Sequence, residues 1–195
     1  MARKVDEEKL LRIKQATMKT IVDCGIEKTT IAMIAKNANV SGGYLYRLYS
    51  GKQELINELY FDKIASLNQE LDFFIGLNPT RVADILRAFI QNRIVYAQNE
   101  LEASKFFYQL LHNDNFIITD QLKAETNVII EKIKTIGVQS GEIHINSSLY
   151  EISYHFIVYV VDYIQFHRKR FFGNEPPSTI NIEYLAHNIL TILKK

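Results

Sequence analysis

The chain has 195 residues, 47% apolar and 23% charged, a balance that excludes a disordered or fibrous chain. Its one cysteine, Cys24, excludes an internal disulfide and fits a reducing compartment. The net charge of +1 excludes nothing alone, but residues 1–55 carry ten Lys/Arg against six Asp/Glu, and the other 140 carry thirteen against sixteen. A basic head on an acidic body suits a phosphate-contacting module joined to one that does not touch nucleic acid. Arg3 and Lys4 form a basic tail that could reach a minor groove. No apolar run follows them, so no secretory leader is expected. The longest apolar stretch, 152–166, is interrupted by His155 and Asp162 and is short for a bilayer. A cytoplasmic location is expected.

Apolar residues recur at three and four, strand signals are nearly absent, and the expected fold is all-α with about nine helices. The first runs from about Val5 to Cys24, with Asp6, Glu7 and Glu8 at its start and Gly25 past its end. Its stripe is Leu10, Ile13, Thr17, Ile21 and Cys24, so Cys24 is expected to face the core. Thr29 or Thr30 caps a short helix from Ile31 to Asn37, and Asn39 suits a left-handed turn. Ser41 caps a third helix, Gly42 to Tyr49, and a long fourth runs from about Lys52 to Phe74. Gly76 to Pro79 reads as a linker. Further helices are expected near 80–98, 101–112, 115–138, 147–171 and 178–194.

The informative stretch is 25–55. Ile31, Ile34, Ala35, Val40, Leu45 and Leu48 or Tyr49 can form a small core that holds two short helices at a steep angle. Ser41 leaves the first turn of the second one directed outward. Gly42 and Gly43 remove side chains there and permit close backbone approach. Tyr44, Tyr46 and Arg47 project from the exposed face. Arg47 can bond a guanine edge, and a tyrosine can pack on a thymine methyl while its hydroxyl reaches a phosphate.

Gly25, Thr30, Ile34, Ala35, Ala38, Val40, Ser41, Gly43, Tyr46, Lys52 and Leu55 stand at the spacing of the tetracycline-repressor (TetR) family's DNA-binding region, which this stretch resembles. It departs from that pattern at Asn39, Tyr49 and Gln53-Glu54. The resemblance covers about 50 residues. It implies a helix-turn-helix DNA-binding domain, drawn here as 1–52, and a helical effector-binding and dimerisation domain over 53–195. It implies that Gly42, Gly43, Tyr44, Tyr46 and Arg47 touch bases or nearby backbone. It also implies that Thr30 and Lys52, at helix N-termini, touch phosphates.

In the second module, a regular helix over 149–170 places Ile152, Phe156, Tyr159, Tyr163 and Phe166 on one stripe. Tyr150, Tyr154, Ile157, Val161 and Ile164 fall on the opposite stripe. A helix apolar on two faces must bury both. The helices 147–171 and 178–194 are therefore expected to meet their copies in a homodimer, which the resemblance also implies. It further implies a small, largely apolar effector, for which Phe106, Phe107, Phe116, Tyr154, His155 and Tyr159 are the candidate wall. The five histidines (His112, His144, His155, His167, His187) show no metal-ligand spacing, and no catalytic constellation or cofactor motif is present. The expectation is a transcriptional repressor, not an enzyme, that binds a pseudo-palindromic operator as a dimer. The alternative is a helical adaptor or activator that works through a protein partner without a small ligand.

Overall fold

A computed structural model describes residues 6–168 and 179–195. Among them there are nine helical rods and no strand: α1 (Glu7–Cys24), α2 (Ile31–Asn37), α3 (Gly42–Leu48), α4 (Lys52–Gly76), α5 (Val82–Asn99), α6 (Leu101–Leu111), α7 (Asp120–Gln139), a rod made of α8 (Leu149–Ser153), a wide turn (Tyr154–Val158) and α9 (Tyr159–Arg168), and α10 (Ile182–Leu193). The chain forms two compact units, Met1–Lys63 with Glu100–Phe116, and Ile64–Asn99 with Ile117–Lys195. The basic tail at Arg3 and Lys4, and the expected end of the long helix at 171, lie outside the described residues.

In the first unit, Asp6 opens α1 by accepting the Lys9 N–H, with Glu7 and Glu8 in the first turn. Ile13, Ala16, Thr17, Thr20 and Ile21 are buried, and α2 and α6 both pack on α1. The buried Thr17 and Thr20 hydroxyls donate to the carbonyls of Ile13 and Ala16 at 2.7 and 2.6 Å, so neither is left unmet. Cys24 is exposed rather than turned to the core, because α1 ends there and Gly25 redirects the chain at a φ of 84°. Phe106, Phe107 and Leu110 give α6 its buried face. Tyr60 of α4 lies 6.0 Å from Phe107 and 6.1 Å from Phe116, centroid to centroid.

In the second unit, α5 is the central rod. Val82, Ile85, Leu86, Phe89, Ile90 and Ile94 are buried, and α7, α9 and α10 pack on it. Two polar features organise the surroundings. Arg93 pairs with Glu70, and its guanidinium lies 5.5 Å over the Phe89 ring and 4.9 Å over Tyr96. Glu142, nearly buried, accepts from the Val82 N–H at 2.7 Å, Ser140 Oγ at 2.8 Å and Arg81 Nε at 3.0 Å. It thereby caps the start of α5 from the loop after α7.

Burial pushes the Glu142 carboxyl up, but the bonds from Ser140, Arg81 and Val82 outweigh that and hold it below its ordinary value of 4.5. A carboxyl lowered in the folded state stabilises above its unfolded pKa, and that contribution fades as pH falls through the folded value. In urea titrations at neutral pH, Glu142→Gln should be less stable than the native chain by about 1–3 kcal/mol. The gap should close as the medium is acidified below 4.5. A gap independent of pH would remove charge from the explanation.

Gly137 is required by space. A Cβ there would sit 2.5 Å from Ile143 Cγ1 and 2.6 Å from Cδ1. Gly137→Ala should therefore cost about 1–3 kcal/mol by overpacking, and Ile143→Ala in the same chain should recover part of it. Thermal melts of the two single variants and the double variant measure this; strictly additive losses would show that the two sites do not meet.

The long rod corrects the two stripes expected of a regular helix. Ile152, Phe156, Val160, Ile164 and Gln165 are buried, with Ile157 and Val161 beside them. Tyr150, Tyr154 and Phe166 are exposed, and Tyr159 and Tyr163 are half-buried. The cause is the wide turn, in which the Tyr159 N–H donates to the Tyr154 carbonyl five residues back. That turn inserts one extra residue, so the inward face passes from Phe156 to Val160 instead of Tyr159. The rod starts at Leu149, where Ser148 and Glu151 cap each other reciprocally. Among the described residues, no helix is long and apolar enough to cross a membrane.

Candidate nucleic-acid interface

The site lies in the first unit and is assembled by local capping. Thr30 accepts the Met33 N–H at 3.2 Å and starts α2, while Ser41 accepts the Tyr44 N–H at 3.2 Å and starts α3. Between them Asn39 adopts a φ of 54°, the left-handed conformation that lets the two short helices join by a tight turn. Ile31, Ile34, Ala35, Ala38, Leu45 and Tyr49 are buried beneath them. Tyr49, not Leu48, is the aromatic plug, and its hydroxyl donates to Glu58 at 3.3 Å. Burial, first, and the Glu58 charge push that hydroxyl up to about 12, so it stays a protonated donor. Lys14 of α1 bonds Glu58 and Asp62 at 2.8 Å each, tying α1 to α4. Asn37 Nδ2 donates to Thr20 Oγ1 at 2.9 Å and ties α2 to α1.

With the inward positions filled, the rest of α3 faces away from this core. Tyr46 is 63% exposed, and Ser41, Gly43 and Arg47 are exposed as well. A Cβ built on Gly42 or Gly43 meets nothing within 4 Å. Neither glycine serves the chain's own packing or has a positive φ. Glycine in a helix costs up to about 1 kcal/mol relative to alanine, so bare backbone at this surface lacks an internal reason. Tyr44 is half-buried between two cations: Arg47 Cζ lies 5.0 Å and Lys9 Nζ 5.8 Å from its ring centroid. The part played by Lys9 is invisible in the sequence, since it comes from α1.

Two residues near the start of α4 have partners within the chain that the family pattern does not reveal. Glu54 accepts from Ser50 N at 2.6 Å and Ser50 Oγ at 2.7 Å, so it closes the turn into α4 although it is displaced by one position. Those bonds hold its carboxyl below the ordinary value. Lys52, expected at a phosphate, directs its ammonium inward. Its Nζ donates to the carbonyls of Ile26, Glu27 and Thr29 at 2.9, 3.2 and 3.0 Å.

The expected effector wall is divided between the units. Phe106, Phe107 and Phe116 are buried in the first. Tyr154, His155 and Tyr159 stand in the second, at the wide turn, with the His155 ring 5.2 Å from Tyr154 and 6.0 Å from Tyr159. Desolvation pushes the His155 imidazole down, with Glu151 opposing it. His155 Nδ1 is buried and has no hydrogen-bond partner among the described residues.

Residues 13–59, which span α1 to the first half of α4, match the family described as bacterial regulatory proteins, tetR family. This match and the relatives below support a tetR-family transcriptional regulator. They support a DNA-binding transcriptional regulator, and α2 and α3 lie within the matched segment. Among its relatives is the fatty acid metabolism regulator protein of Bacillus subtilis, 26% identical over 144 residues, 69% of this chain and 71% of that one. The fold is shared with the Bacillus subtilis FadR structure in complex with stearoyl-CoA (TM-score 0.63, 17% identity, covering 95% of this chain and 98% of that one). It is shared also with the SmeT–triclosan complex (TM-score 0.66, 15% identity, covering 96% and 90%).

Proposed function

We propose that this tetR-family chain is a cytoplasmic repressor that binds a pseudo-palindromic operator as a homodimer and is released by a small, largely apolar effector. The observation that carries the DNA-reading half is the outer face of α3: two glycines that the fold does not use, beside exposed Tyr46 and Arg47. Arg47 would bond a guanine edge, Tyr46 a methyl or phosphate, and the bare backbone of Gly42 and Gly43 would let the helix approach closely. Ser41 and Thr30 hold the two helix starts whose N–H groups suit phosphates. Tyr44, held by Lys9 and Arg47, would orient the guanidinium.

Homodimerisation is supported by the second unit's uncovered aromatic face. Tyr150, Tyr154 and Phe166 of the long rod and Tyr184 of α10 are exposed, although both helices bury an aliphatic face within their own unit. These surfaces lie on the long rod and α10, the two helices expected to meet their copies, and a second copy would cover them. Tyr154 and Tyr159 would then serve the partner copy, and the buried Phe106, Phe107 and Phe116 are the aromatic wall proposed for an effector. The effector's class is supported by the stearoyl-CoA and triclosan named with the two structural neighbours. Its binding would shift the population between states with different DNA affinity.

Selection from a random double-stranded DNA pool at near-physiological salt tests the reading. Enrichment of a two-fold-symmetric site with half-sites roughly 34–36 Å apart, or a multiple of that, is expected. That site then serves to screen acyl-CoA and chlorinated aromatic compounds for release. A folded dimer that enriches no sequence would overturn the proposal. Gly43→Ala provides a second test, because it separates fold from binding. The melting temperature should hold or rise, while operator affinity should fall by about 1–3 kcal/mol as the added methyl overpacks against DNA. Unchanged affinity would show that no nucleic acid approaches there.

A further inference from the structure

We propose that Lys52 is a positioning residue that locks the start of α4 onto the turn leading into α2, and so sets the angle of the reading head, rather than a phosphate contact. The inference rests on the DNA-reading function proposed above. An ammonium has three N–H donors and no acceptor. In Lys52 all three are engaged, by the carbonyls of Ile26 at 2.9 Å, Glu27 at 3.2 Å and Thr29 at 3.0 Å. Nothing is left over for a phosphate oxygen. The placement is also electrostatically pointed. Lys52 is the first residue of α4, where the helix dipole disfavours a cation. The carbonyls that hold it follow the C-terminus of α1, where a cation is favoured.

The turn it grips is otherwise closed only by its own short bonds. The Thr29 N–H and hydroxyl both donate to the Gly25 carbonyl, at 3.2 and 2.8 Å. Thr30 follows directly and caps α2 through the Met33 N–H, while the Ile34 N–H donates to the Thr30 carbonyl at 3.1 Å. Lys52 therefore joins α4 to the turn leading into α2 through three charge-assisted bonds. Because these bonds are short-ranged, a slide of α4 by one residue's rise, ~1.5 Å, would break them. Any movement of α4 that an effector imposes would reach Thr30 and the α2 N-terminus at this point first.

The test compares the native dimer with Lys52→Met and Lys52→Arg. Two measurements are made: amide hydrogen exchange in the free protein, and binding to the selected operator and to random DNA across a salt series. In Lys52→Met, the amides of Thr29, Met33 and Ile34 should exchange roughly tenfold faster or more, since bonds to a charged group are lost. The ratio of operator to random-DNA affinity should fall roughly tenfold, while the slope of log affinity against log salt stays at the native value. Lys52→Arg should lose most of that ratio too, because a planar fork cannot satisfy three convergent carbonyls as a point charge does. It also covers the case in which Lys52→Met does not fold. A purely structural role would lower the melting temperature and leave the affinity ratio of the folded fraction unchanged. A phosphate contact would reduce the salt slope of Lys52→Met by about 0.9 for each copy and leave Lys52→Arg nearly native. Either pattern, or native exchange at 29–34 in both variants, overturns the proposal. If the native dimer selects no operator, the DNA reading fails on its own, and the exchange measurement still decides what Lys52 holds.

Discussion

Arg47→Ala should weaken operator binding by about 1–3 kcal/mol at each half-site, or about 2–6 kcal/mol across a dimer, a fall of roughly thirtyfold to twenty-thousandfold. The size follows from what Arg47 does not do. It is exposed, makes no ion pair among the described residues, and places its guanidinium 5.0 Å from the Tyr44 ring centroid. Its removal therefore leaves the core of α2 and α3 untouched, and the melting temperature should hold. A guanidinium contributes planar, two-point recognition of guanine, so the loss should be larger on the operator than on random DNA. Tyr46→Ala should give a loss of similar size by a different route, since its ring offers area and its hydroxyl a phosphate bond. Fluorescence anisotropy on operator and random duplexes separates the two effects. Equal affinities of Arg47→Ala and the native chain for the operator would remove Arg47 from the reading face.

Phe156→Ala should destabilise the second unit by about 3–5 kcal/mol, because a fully buried aromatic is replaced by a cavity. For a chain of this size each kcal/mol moves the melting temperature by about 2–4 °C, so a drop of roughly 6–20 °C is expected. Had the rod been regular, Tyr159 would share the inward face of Phe156 and should cost as much. With the wide turn it stands half-buried on the other side, so Tyr159→Ala should cost the isolated subunit much less and act mainly on assembly. Calorimetry and sedimentation of both variants decide between the two geometries; equal thermal losses would mean the inward face runs through Tyr159 after all.

The features legible in the sequence are those set by neighbours. Thr30 and Ser41 cap their helices as their residue types and positions indicate, and Asn39 takes the left-handed turn, because each depends on atoms three or four residues away. The outward face of α3 follows from the same local logic once Leu45 and Tyr49 point inward. Lys52 was not legible in this way. Its motif position suggested phosphate, but its partners stand 23 to 26 residues earlier, and only the folded turn brings three carbonyls to one point. The packing of α6 on α1 is equally non-local, since an amphipathic helix shows that it buries a face but not against what. The faces of the long rod depart from the two stripes for another reason: a stripe drawn at 100° per residue assumes uniform winding, and 154–158 is not uniformly wound.

That irregular winding, more than residue choice, determines what the rod displays. Tyrosines and aliphatic residues alternate along 149–166 so closely that a shift of one position exchanges them. Rewinding 154–158 as ordinary helix with no residue removed would rotate everything beyond it by ~100°. Tyr159 and Tyr163 would turn inward, and Val160 and Ile164 would turn outward. The resulting chain would have the same composition and hydropathy, yet it would show a smooth aliphatic flank where phenols now stand. In such a helix a change of winding would act as a switch of assembly specificity that no comparison of residue types would detect, and a one-residue deletion within 154–158 would cancel it.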